Sequence, residues 1–101
     1  MKLKKEKVYI LIRKNHKTYK KEIEARTFIY RDVKFNLQGD SKSGYLISDN
    51  RTGMLCGGTY FEKLKNFDCK KLDYFIENIM GNYLYKVAIK NFDNAIIEEV
   101  I

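Results

Sequence analysis

The stretch Arg13-Lys14-Asn15-His16-Lys17-Thr18-Tyr19-Lys20-Lys21 gathers more chemically capable side chains than any other part of the sequence. Flexible lysines and arginines at a hairpin tip reach phosphate oxygens, and a tyrosine among them stacks on a base. His16 is the sole histidine. With Lys17, Tyr19 or Arg13 beside it, it has the makings of a general acid or base for RNA cleavage. The plainer reading is a solvated histidine in a turn. Arg13, Lys14, His16, Lys17, Tyr19, Lys20 and Lys21 are therefore the first candidates for a binding surface. Arg26, Arg31, Lys34 and Arg51 form a second tier.

Other reactive groups are thinner. Cys56 and Cys69 are the only cysteines, and two buried thiols are the plain expectation. Cys69 stands near the start of an expected helix, a place that activates thiols. It also precedes Leu72 and Ile76 by three and seven residues, which puts it on the core face. Gly57-Gly58 lacks the Gly-Lys-Ser/Thr that completes a phosphate loop and the spacing of a dinucleotide fingerprint. Glu22/Glu24 and Glu98/Glu99 lack further ligands for a metal. No catalytic set, metal or cofactor is expected, and binding is favoured over catalysis.

Charge gives that binding a direction. The 101 residues carry a net +7. Residues 1–35 hold twelve Lys/Arg against four Asp/Glu, a net +8, so the remainder is at −1. A one-sided positive field draws nucleic acid, a nucleoprotein or an acidic protein face. The alternative is a lysine-rich surface that only keeps the chain in solution. Eight tyrosines suit an interface or ordinary sheet packing. The run Val8-Tyr9-Ile10-Leu11-Ile12 is too short for a signal-peptide core or a membrane span, so a cytoplasmic, soluble protein is expected. Lys, Asn, Ile and Tyr abound while Pro and Trp are absent, a composition that fits an AT-rich bacterium, its phage or a plasmid.

The elements that must position these groups follow from periodicity. Residues 8–13 read as a strand ending at the turn Asn15-His16-Lys17. Residues 19–30 read as a long strand. Tyr19, Lys21, Ile23, Ala25, Thr27 and Ile29 lie on its mostly apolar face, and Lys20, Glu22, Glu24 and Arg26 on the other. Val33, Phe35 and Leu37 alternate with polar residues, and residues 39–44 are a loop. Residues 45–48 and 54–56 make a hairpin around Asp49-Asn50-Arg51-Thr52-Gly53, ended by Gly57-Gly58. Thr59-x-x-Glu62 fits a capping box for a short helix near 60–66, with Phe61 and Leu64 inward. Asp68 can cap a main helix at about 69–80, where Leu72, Phe75, Ile76 and Ile79 make the buried stripe and Gly81 the C-terminal cap. Tyr83, Tyr85, Val87 and Ile89 alternate with Leu84, Lys86, Ala88 and Lys90, which predicts a strand. Residues 96–101 are read as a last strand, with a helical turn capped by Asp93 as the alternative. The expected fold is a single α+β domain: a mainly antiparallel sheet of about five to six strands with the 69–80 helix packed on one face.

Gly44-Tyr45-x-Ile47, then Asn50-Arg51-Thr52-Gly53-Met54-Leu55 and a capped helix, resembles small accessory proteins of phages and mobile elements. In general character the chain resembles anti-CRISPR proteins. That resemblance implies a non-enzymatic inhibitor that occludes a host nucleoprotein effector, here through its guide RNA or an acidic patch, since the basic charge departs from the acidic DNA mimics. Direct RNA or DNA binding and a small ribonuclease using His16 are the other readings. A monomer or a homodimer fits each.

Overall fold

The computed structural model describes residues 2–40, 42–61 and 69–98, with backbone alone for 57–61. Long β-branched and aromatic stretches separated by connections of two to five residues make a meander. Its strands are β1 (Lys4–Lys14), β2 (Lys17–Tyr30), β3 (Val33–Asp40), β4 (Gly44–Asp49) and β5 (Leu55–Phe61), antiparallel in the order β1-β2-β3-β4-β5. Two of the turns use the same device. Asn15 and His16 have φ of 52° and 65°, and Arg31 and Asp32 have 50° and 64°. Paired positive φ values give the turn whose twist matches a hairpin. The β3–β4 turn relies on glycine instead. Gly39 has φ 92°, and a methyl group there would fall 2.0 Å from the Gly44 carbonyl oxygen.

One face of the sheet carries the core. Phe28, Phe35, Leu37, Tyr45, Ile47 and Cys56 meet Leu72, Phe75 and Tyr85 from the helices. Leu72 and Phe75 lie in the expected main helix, which is α1 (Cys69–Tyr74) continuing as a π-helical stretch over Phe75–Ile79. A row of rings crosses the layers. Phe28 stacks on Phe35 at 5.7 Å, Phe75 meets Phe35 edge-on at 6.0 Å, and Tyr85 meets Phe75 edge-on at 5.8 Å. Such pairs add about 0.5–1.5 kcal/mol each beyond the area they bury.

Several expectations are corrected. Tyr83 to Lys90 is not a strand but lies within α2 (Tyr83–Asn94). The Asn82 side chain caps it, accepting a hydrogen bond from Leu84 N at 2.9 Å. The main helix is thus one of two helical segments among the described residues. Gly81 takes no left-handed φ, and the π-helical stretch is capped by Met80 at φ −64°. The short helix near 60–66 is not formed at its start, because Thr59, Tyr60 and Phe61 belong to β5. Glu62, Leu64 and Asp68 lie outside the described residues. Gly57-Gly58 does not end the strand either. Tyr45 pairs with Phe61 and Ile47 with Cys56, so the glycines fall in a bulge. In β2 it is Phe28 that enters the core, while Ile29 stays 70% exposed. Cys69 is exposed, and only Cys56 is buried. Ile96–Ile97 does form a strand, β6, pairing parallel with β2.

The sheet curls. In a flat sheet β1 and β4 would stand about 14 Å apart, yet a methyl group on Gly53, just after β4, would lie 3.3 Å from Leu11 N and 3.6 Å from the Phe92 ring. The 49–54 turn is therefore wedged between β1 and α2. Asp49 holds it there. Its Oδ2 accepts from Tyr85 OH at 2.6 Å and from Thr52 Oγ1 at 2.7 Å. Asp49 is 1% exposed and Thr52 0%. Replacement of Asp49 by Ala strands two buried hydroxyls. Urea unfolding is expected to show a loss of about 2–4 kcal/mol, and a smaller loss for Asp49→Asn, which keeps an acceptor.

Candidate nucleic-acid interface

The first-tier residues come together on one ribbon. β1 and β2 pair from Lys4↔Thr27 to Lys14↔Lys17, while β3 pairs with β2 only over Arg26 to Tyr30. The tip half of the ribbon thus extends past the meander, and there β2 is met by β6, with Tyr19 opposite Ile96 and Lys20 opposite Ile97. Glu98 N donates to Lys20 O at 2.8 Å and continues that contact. His16 sits at the second turn position, exposed, with no hydrogen-bond partner among the described residues.

Register sorts the ribbon into two faces, since directly paired residues share a side. Ile10 pairs with Lys21, Ile12 with Tyr19 and Lys14 with Lys17. These six side chains form one face. On the other, Lys20 turns towards α2. Its Nζ lies 5.4 Å from the Phe92 ring centroid and 5.8 Å from that of Tyr9, and donates to Asp93 O at 3.4 Å. A lysine stem over two rings is packing as well as charge. Lys20 is thus committed to α2.

The second-tier cations are spread over the molecule, each engaged. Arg26 lies 5.7 Å over the Tyr45 ring. Arg31 joins the β2–β3 turn to the helix, at 3.0 Å from Asp73 and 3.3 Å from Glu77. Tyr30 OH donates to the same Asp73 oxygen at 2.8 Å. The Tyr30 hydrogen bond first, and the Arg31 hydrogen bond next, hold the Asp73 carboxyl below its ordinary range. Lys34 contacts Glu6, and that hydrogen bond is the main cause lowering the Glu6 pKa. Arg51 grips Asp93 with both terminal guanidinium nitrogens, at 2.7 and 2.8 Å.

The charge is therefore sorted. Lys5 and Lys7 pair with Glu24 and Glu22 at 2.9 and 3.7 Å, and Lys4 lies 3.7 Å from Glu6. Lys14 lies 3.8 Å from Glu98. Arg13, Lys17 and Lys21 have no acidic partner among the described residues. The surplus that sequence assigns to the whole N-terminal third is concentrated by pairing at the ribbon tip.

Other groups serve the framework. Burial first, and the nearby Asp49 next, push the Cys56 thiol up to about 12, which leaves it unreactive. Burial, then the hydrogen bond to Asp49, raises the Tyr85 pKa. Sequence reasoning passed over Asp49, Tyr85 and a buried polar row on the face opposite the core. In that row Asn36 and Gln38 both donate to Ser48 Oγ, at 3.4 and 3.1 Å, and Asn50 donates to Asn36 at 2.8 Å. Only the alternation of Asn36 and Gln38 with apolar residues hinted at it.

Among the described residues no helix is long and apolar enough to cross a membrane. Comparison with protein-family models, curated proteins and solved structures returns no match for this chain.

Arg51 is thus an anchor of α2, and its loss should be read in stability. The Arg51 hydrogen bond keeps the Asp93 carboxyl below its usual range. A carboxyl with a lowered folded pKa contributes stability in full above its unfolded value, about 3.9, and loses it as pH falls through the folded value. Arg51→Ala should lower the melting temperature at neutral pH. Its curve and that of the wild type should converge below about pH 4. Acid titration followed by circular dichroism checks this.

Proposed function

We propose that this chain is a non-enzymatic binding protein that sets its β1–β2 ribbon on the nucleic acid of a host nucleoprotein and acts by occlusion. Such a role fits an accessory protein of a phage or mobile element, anti-CRISPR-like in character, working in the cytoplasm. One observation carries the reading: Arg13, Lys17 and Lys21 are free of acidic partners among the described residues, whereas Lys4, Lys5, Lys7, Arg31, Lys34 and Arg51 are each paired with a carboxylate. Paired cations contribute little field at a distance. Three unpaired cations at one tip, Lys17 and Lys21 on one face and Arg13 beside Thr18 on the other, attract phosphate, and each contact releases condensed counterions.

The framework supports the same reading. β6 and α2 brace the ribbon from one side, so the cations are presented on a held surface rather than on a loose arm. His16 lies at the same tip, where its imidazole adds a hydrogen-bonding group to the surface. Direct RNA or DNA binding without a protein component uses the same ribbon, and is separated from the first reading by what is captured.

Tagged protein incubated with bacterial lysate should retain a nucleoprotein complex, with retention falling steeply as salt is raised. Arg13→Glu/Lys17→Glu/Lys21→Glu should lose the complex while folding normally by circular dichroism. If nuclease treatment leaves no bound protein, bare nucleic acid is the ligand. Undiminished retention by the triple variant removes the ribbon from the account.

A further inference from the structure

We infer that the free face of the ribbon binds single-stranded nucleic acid by base stacking. This deepens the proposed role by naming the form of the ligand, and it rests on the ribbon being the binding element. The face is set by register. Ile12 is paired with Tyr19, and Ile96 stands opposite Tyr19 across the parallel β6 contact. These three residues form an apolar row with Ile96 62% exposed. Lys14 and Lys17 lie in the row nearer the turn, and Ile10 and Lys21 in the row beyond. Lys14, Lys17 and Lys21 are exposed.

An apolar and aromatic strip flanked by cations matches a strand whose bases are unstacked and whose phosphates run alongside. Lys17 and Lys21 are four residues apart on β2, about 13 Å, with Tyr19 midway between them. A base laid on Tyr19 therefore has a lysine on either side for its flanking phosphates. Duplex readout asks for something else. Base edges in the major groove are read by paired donors and acceptors from Arg, Asn or Gln. Ile10, Ile12, Lys14, Lys17, Tyr19, Lys21 and Ile96 supply no such pair. Single strands present the base faces that a duplex hides, and every base has one. Binding on this face should accordingly tolerate sequence.

Fluorescence anisotropy on the full chain, with labelled oligouridine, oligothymidine and a duplex of equal length, tests the inference. Both single strands should bind at least about tenfold tighter than the duplex. Tyr19→Ala should weaken single-strand binding by about 5- to 100-fold and leave the salt dependence unchanged. Tyr19→Phe should restore it, and an unchanged circular dichroism spectrum and melting temperature for Tyr19→Ala separate stacking from a folding defect. Lys17→Glu/Lys21→Glu should weaken all three probes and flatten the salt dependence. A preference for oligouridine over oligothymidine assigns the ligand to RNA, and the reverse to DNA. Equal affinity for the duplex, or no effect of Tyr19→Ala where charge reversal abolishes binding, overturns the stacking surface and leaves the phosphate-binding ribbon standing. Failure of charge reversal to alter any binding removes the ribbon itself.

Discussion

The buried carboxyl of Asp49 is the contact on which the rest of the arrangement depends. It sits at the end of β4, almost wholly out of solvent, and receives hydroxyl donors from its own turn and from α2. A polar group in that position is costly unless its hydrogen bonds are made. The turn and the helix must therefore be placed together or not at all. Once Tyr85 is fixed, its ring completes the aromatic row through Phe75 and Phe35 to Phe28. The same turn then offers Arg51 to Asp93, just over two turns further along α2. Two anchors set the direction of the helix, and its direction decides where β6 meets the ribbon.

The misreading of α2 shows how local sequence and tertiary contact divide the work. Tyr83, Tyr85, Val87 and Ile89 are strand formers in alternation, which favours a strand on pattern alone. Tyr85, Ala88, Ile89 and Phe92 also fall at i, i+3, i+4 and i+7. Both periods fit the stretch. Asn82, the capping residue that favours the helix, is informative only when the start is known. Tertiary demand resolves the choice: Tyr85 must reach Asp49 while Phe92 reaches Gly53 and Lys20, and only a helix turns both inward. The main helix escaped this ambiguity because Leu72, Phe75, Ile76 and Ile79 fit one period well. The β1–β3 strands were legible for a similar reason, and the first of their turns is marked by Asn15-His16-Lys17.

Less of the candidate site was legible than of the fold. Sequence places Arg13 through Lys21 at a hairpin tip, and register confirms that placement. It cannot say which cations are already engaged, because the partners are distant. Arg31 and Asp73 are 42 residues apart, as are Arg51 and Asp93. Lys20 shows the same limit from another side: it stands amid the basic run but lies over Phe92, 72 positions on in the sequence. A count of basic residues treats all twelve in the N-terminal third alike. The fold withdraws most of them into ion pairs or onto rings, and its choice of which to leave is the functional information.

That choice follows from the geometry of the ribbon. Towards its base the ribbon itself carries Glu6, Glu22 and Glu24, and Lys34, Lys7 and Lys5 meet them. Beyond Glu22, towards the tip, the ribbon holds no acidic residue. β6 arrives on the far side with Ile96 and Ile97, bringing apolar side chains and, in Glu98, one carboxylate. The tip is thus braced mainly by hydrophobic contact, and only Lys14 is neutralised there, by Glu98. A short parallel strand that supports a basic ribbon and pairs only Lys14 leaves Lys17 and Lys21 to direct their field outward. It also sets an exposed isoleucine beside Tyr19, so rigidity, charge and an apolar surface converge on one face. The polarity of the sequence becomes a surface only because Asp49, at the other end of the sheet, fixes the helix that carries β6 there.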